Sequence, residues 1–226
     1  GLVPFLRDFV PEQVPTPPRH DVIMAGRETQ VCAMRGEVDR SQASLDFEAV
    51  WRAIPKSGLV PFLRDFVPEQ VPAFLSEMVI IEVDPVRPPY LRVRLAGTAL
   101  NERARFEMTG TDYATYLPAE YRQGAIDSAD LMVSHPCGLW QLMPVHYDTG
   151  VSRLLEITCF PLLGGAGRKP MLMTFGQDLG FLGGDMAQPP EGKLTVDTSM
   201  DYVYLDIGAG VPPRNAPGLT GETVDR

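Results

Sequence analysis

The spacing of apolar positions along this chain changes period several times, and each change marks an element. In "LDFEAVWRAIPKSG", Phe47, Val50, Trp51 and Ile54 recur at helical spacing, with Asp46 near the start and Pro55 and Gly58 as stop signals. A short amphipathic helix is predicted from Leu45. The text then turns β-branched and apolar in "MVIIEVD", passes a turn in "PVRPP", and alternates Leu91, Val93 and Leu95 against Tyr90, Arg92 and Arg94. Two neighbouring antiparallel strands follow from that pattern. "ALNERARFEMTGTDYATYLP" reads as short helical and loop pieces. A longer helix is predicted between Pro118 and Pro136, with Tyr121, Ala125, Ala129, Met132 and Val133 on one face. Three further strands are predicted in "GLWQLMPVHYD", "SRLLEITCFPLL" and "KPMLMTFGQDL", joined through Thr149 and Gly150 and through "GGAGR".

The segment before the first helix has no sustained period. "GLVPFLRDFVPEQVP" occupies residues 1–15 and returns unchanged at 58–72, and "PTPPRHDVIMAGRETQVCAMRGEVDRSQAS" mixes proline, charge and small residues as a linker does. Only the second copy sits between a predicted helix and a predicted strand. A copy without drift reads as a recent segmental duplication or an artefact, since selected repeats recur at least three times and vary. The expected organisation is therefore a tail or linker over 1–44, one domain over 45–180 and a C-terminal extension over 181–226.

Composition narrows the functional classes. A net charge of -9 and a pI near 4.8 oppose a sequence-independent grip on phosphate backbones, so nucleic acid is not an expected partner. Cys32, Cys137 and Cys159 are odd in number and lack CxxC spacing, which indicates neither a disulfide framework nor a zinc knuckle and points to a reducing cytoplasm. No apolar run reaches the roughly 20 residues of a membrane span, and the N-terminus has no basic stretch followed by an apolar one.

The order of elements, two strands, a helical middle and a three-strand meander, and the wording that fills it resemble the bacterial single-PAS-domain proteins of alphaproteobacteria. The resemblance rests on Trp51 in the leading helix, "VPEQVPAFL", "RLAGTAL", "TGTDY", "SRLLEITCFPL" and "YLDIGAGVP". It covers about 45–179, with the last motif beyond. It implies an α+β fold: a PAS-like five-stranded antiparallel sheet with helices on one face, enclosing a small cavity. It further implies a sensor or protein-interaction module in signalling and supplies no ligand, so the cofactor is unknown. The "NCRFLQ"-like segment that carries the flavin-reactive cysteine of the light-sensing subtype is absent.

No nucleophile or acid/base set with a mechanistic context emerges. "LLGGAGRKP" lacks the GxxxxGK[ST] pattern and a following helix, so it reads as a hairpin turn, and "DIGAGVP" does not meet GxGxxG. His20, His135 and His146 share no metal-ligand spacing; a lone axial haem ligand keeps His135 open beside a helix-capping role. Asp127 and Asp130 read as a solvated helix face. Arg94 and Glu156 fall inside apolar strand text, either as exposed cross-strand charges or as inward charges needing a partner. Tyr90 and Trp140 are open between cavity lining and sheet packing. With His146 these make the ligand-pocket candidates, and Met132, Met143, Met171 and Met173 would suit an adaptable pocket or interface. Phe47, Val50, Trp51 and Ile54 form an interaction stripe expected to meet a homodimer mate or another protein. The leading reading is a non-catalytic, stand-alone PAS-type module; the alternative is a small enzyme or carrier with a cone-shaped pocket for an apolar metabolite.

Overall fold

A computed structural model describes residues 40–212. The first copy of the repeat, most of the expected tail, His20 and Cys32 lie outside them. The elements are α1 (Gln42–Ala53), α2 (Pro72–Leu75), β1 (Met78–Val83), β2 (Leu91–Ala96), α3 (Thr98–Ala104), α4 (Ala119–Ser134), β3 (Gly138–Tyr147), β4 (Ser152–Leu162), β5 (Met171–Gly183), β6 (Leu194–Val196) and β7 (Asp201–Leu205). The second copy of the repeat makes two 3-10 turns, Leu63–Asp65 and Pro68–Gln70, and leads into α2, because its prolines allow nothing longer.

The fold is α+β, built on one curled antiparallel sheet. Its strand order is β2-β1-β5-β4-β3-β6, with β7 pairing the first half of β3. The two predicted groups of strands meet through β1 and β5, in register from Met78 opposite Phe175 to Glu82 opposite Met171. The β3–β4 and β4–β5 connections are hairpins, and Gly150, Gly165 and Gly167 hold the positive φ angles that their turns require.

Two expectations are corrected here. The sheet has seven strands, because "LTV" and "DYVYL" of the C-terminal extension add to β3. Helices cover both faces. Paired residues share a face, and the one-residue alternation divides β4 cleanly: Thr158 and Phe160 face α1, while Ile157 and Cys159 face α4. On the α1 side, Phe47, Trp51, Phe160, Phe175 and Phe74 form an aromatic cluster with centroids 4.8 to 6.3 Å apart. On the other side, Ile126, Ala129 and Met132 of α4 close over Ile81, Leu139 and Leu172.

The leading helix starts earlier than the predicted Leu45. Ser41 caps it, its Oγ accepting from Ser44 N at 3.1 Å, and the buried Ser44 hydroxyl lies 2.5 Å from Thr158 Oγ1. The serines of "RSQAS" therefore belong to the domain.

Candidate functional site

Between the sheet and α4 lies a cavity of about 380 Å³. Its volume falls in the range of small-molecule sites, roughly 300–1,000 Å³. Apolar side chains dominate the wall, among them Ile81, Leu139, Met143 and Leu172 from the sheet and Ala129 and Met132 from α4. Small residues contribute to its lining, Gly124 and Ala125 from α4 and Gly176 from β5.

Polar side chains also border this space, and several of them are engaged in defined contacts. Arg103 on α3 makes a two-pronged ion pair with Glu77, Nη1 donating to Oε1 at 2.7 Å and Nη2 to Oε2. Ser199 Oγ donates to Gln141 Oε1 at 2.5 Å, while Gln141 Nε2 bonds to no other described residue. Among the described residues, the Tyr113 hydroxyl has only the Met143 sulfur, at 3.7 Å, as acceptor. Burial pushes the Tyr113 phenol well above its ordinary range, with Cys159 and Tyr116 adding to the shift, so it stays a neutral donor. Cys159 also lines the cavity, and burial pushes its thiol up to about 12 although Thr174 lies within hydrogen-bonding reach. Cys137, beneath α4, is pushed up to about 11 by the same cause. Neither thiol is a poised nucleophile.

The five pocket candidates named from sequence lie elsewhere. Trp140 and Glu156 sit on the α1 face, where Trp140 Nε1 donates to Glu156 Oε1 at 2.6 Å. Glu156 is 2% exposed, and it also accepts from Ser41 N at 2.9 Å and from Ser41 Oγ. Its role is to tie the start of α1 to the sheet. Arg94 lies on β2, half exposed, 3.9 Å from Glu82. Tyr90 donates its backbone N–H to Asp112 Oδ2 at 2.9 Å and packs against the α4-side core without lining the cavity.

His146 has a more suggestive setting. Its Nδ1 lies 2.8 Å from Ser152 Oγ and its Nε2 3.4 Å from Asp197 Oδ2. Hydrolytic triads place the serine at Nε2 and the acid at Nδ1. Here that order is reversed, and the nearby amides of Tyr147 and Gly150 already donate to Val151 O and Tyr147 O. The cluster is a cross-strand hydrogen-bonded pair, His146 opposite Ser152, at the mouth of a hairpin.

The stripe on α1 differs from its expected role too. Phe47 and Trp51 are 0% and 1% exposed, Ile54 is buried and Val50 packs against the same core, because the outer face of the sheet receives them. Of the four methionines, Met132 and Met143 line the cavity, whereas Met171 and Met173 belong to the α1-side core. His135 ends α4, its Nε2 3.3 Å from Gly210 O. Asp127 accepts from Gln123 on the exposed side of α4. "DIGAG" is a turn in which Asp206 Oδ1 accepts from Gly208 N and Gly210 N.

Gln141 and Tyr113, two of the donors that line the cavity, carried no signal in the sequence. Comparison with protein-family models, curated proteins and solved structures gives no match. Among the described residues, no helix is long and apolar enough to cross a membrane.

Proposed function

We propose that this protein is a non-catalytic PAS-type sensor of bacterial signalling that holds a small, largely apolar ligand between its sheet and α4. The cavity of about 380 Å³ carries this reading. A packed interior holds few spaces larger than a water molecule, and an apolar ligand in one of this size would supply the contacts that neighbouring side chains supply elsewhere. The strand order β2-β1-β5-β4-β3, with α4 over one face, supports the PAS part of the proposal, since it is the arrangement that the resemblance implies. Output passes to a protein partner or a second copy of the chain through surfaces that the ligand-bound domain presents.

The test is native mass spectrometry and absorbance spectroscopy of the purified chain beside an Ala125→Phe variant. Ala125 lines the cavity, and a phenyl group there takes up part of it and obstructs a ligand. Retention of a small molecule by the natural chain and its loss in the variant is the expected result. Equal retention by both, or no uptake of any apolar compound by the natural chain, refutes the proposal.

A further inference from the structure

The cavity's polar groups specify more than apolar character, and this step rests on the cavity being a ligand site. Two donors that border it, the Tyr113 hydroxyl and the Gln141 amide, spend little of their hydrogen-bonding capacity on the described residues. The Tyr113 O–H reaches only a thioether sulfur, a weak acceptor, at 3.7 Å. Gln141, 8% exposed, engages its carbonyl with Ser199, and its amide N–H pair has no partner among the described residues. Tyr113 contacts Met143, which is two residues from Gln141 on β3, and side chains two apart share a strand face. Both donors therefore border the cavity, Tyr113 reaching across to the strand face that carries Gln141 and Met143.

The charges around the same space are unfavourable to an anion. Three carboxylates, Glu77, Glu120 and Asp197, and a single guanidinium, Arg103, belong to the lining. That guanidinium is already matched in a two-pronged pair with Glu77. A ligand carboxylate would have to break this pair or remain uncompensated in a low-dielectric space, and either is costly.

We infer that the cavity selects neutral apolar molecules bearing a carbonyl-type acceptor, such as an ester, ketone or amide, which Tyr113 and Gln141 orient by donating to it. Fatty acids and other apolar anions are rejected. Pure hydrocarbons enter but gain nothing from the two donors.

Isothermal titration of the full chain with methyl nonanoate, sodium nonanoate and butylbenzene tests this. The ester is expected to bind at least tenfold more tightly than the carboxylate or the hydrocarbon. Tyr113→Phe and Gln141→Leu should each weaken the ester about tenfold, the worth of one ordinary hydrogen bond, and leave butylbenzene unchanged. Tyr113→Phe removes only the hydroxyl, and an unchanged near-ultraviolet circular dichroism spectrum establishes that the variant is folded. A carboxylate that binds as tightly as the ester, or an ester affinity indifferent to both substitutions, overturns the inference and leaves the binding function intact. Failure of all three compounds to bind overturns the binding function and this inference with it.

Discussion

Replacing Glu156 separates hydrogen bonding from charge at the joint between α1 and the sheet. Its carboxylate is 2% exposed and receives three donors: Ser41 N–H, Ser41 O–H and Trp140 Nε1–H. Glu156→Leu leaves all three without an acceptor. The serine hydroxyl can rotate to another partner, but the backbone amide and the indole are fixed in direction. At ~1–3 kcal/mol for each buried donor left unmet, two of them amount to about 3 kcal/mol. For a chain of this size that lowers Tm by roughly 6–12 °C. Glu156→Gln should behave differently. Its amide oxygen can take the position of Oε1, which accepts from both Ser41 N and Trp140 Nε1, and its NH₂ can donate to the Ser41 hydroxyl. The expected loss is below about 1 kcal/mol. Calorimetric unfolding gives both values. The chain has two tryptophans, so a Trp51→Phe background isolates Trp140 fluorescence as a local probe of the joint. A leucine variant that melts within about 2 °C of the natural chain would refute the account of the joint. So would a glutamine variant as damaged as the leucine one, since charge and not hydrogen bonding would then hold α1.

Other expectations follow from the same packing. A chain beginning at Leu45 should melt several degrees below one beginning at Asp39, because it lacks the Ser41 cap and the Ser44–Thr158 contact; equal melting temperatures would place those serines outside the stable domain. Trp51→Ala removes a ring stacked 4.8 Å from Phe160 and a 2.9 Å bond to Pro161 O, and should cost about 3–5 kcal/mol in chemical denaturation; a loss under about 1 kcal/mol would mean that α1 is not seated on the sheet. In a Cys32→Ser background, Cys137 and Cys159 should resist a thiol reagent at neutral pH in the folded state and react once unfolded. Burial raises both thiols to about 11 and about 12, and the thiolate is the reacting form. Fast labelling of the native protein would show that the space beneath α4 opens to solvent.

The local parts of this fold were legible in the chain, and the reasons are local. Alternation in "YLRVRLAGT", turn glycines at Gly150 and in "GGAGR", and prolines at either end of α4 act over a few residues, so the strands, hairpins and long helix stand where the pattern puts them. The serine cap of α1 was local as well, but it was hidden in text that otherwise reads as linker. What the tertiary structure decided was pairing and phase. β6 and β7 are short, and they become strands by adding to β3 across a long sequence separation. The cavity wall turned on one residue of register. In β3 both faces are buried, one by α4 and the other by sheet neighbours and the start of α1, so Leu139, Gln141 and Met143 alternate with Trp140 and Leu142 with no polar side to mark them. From sequence, Trp140 and Glu156 stood as pocket candidates and Gln141 did not. The fold turned the first two toward α1 and the third, with Tyr113, toward the cavity beneath α4. The fate of the α1 stripe was settled in the same way. Helical spacing shows that Phe47 and Trp51 share a face, but only the exposed back of the sheet determines that the face is filled from within the same chain.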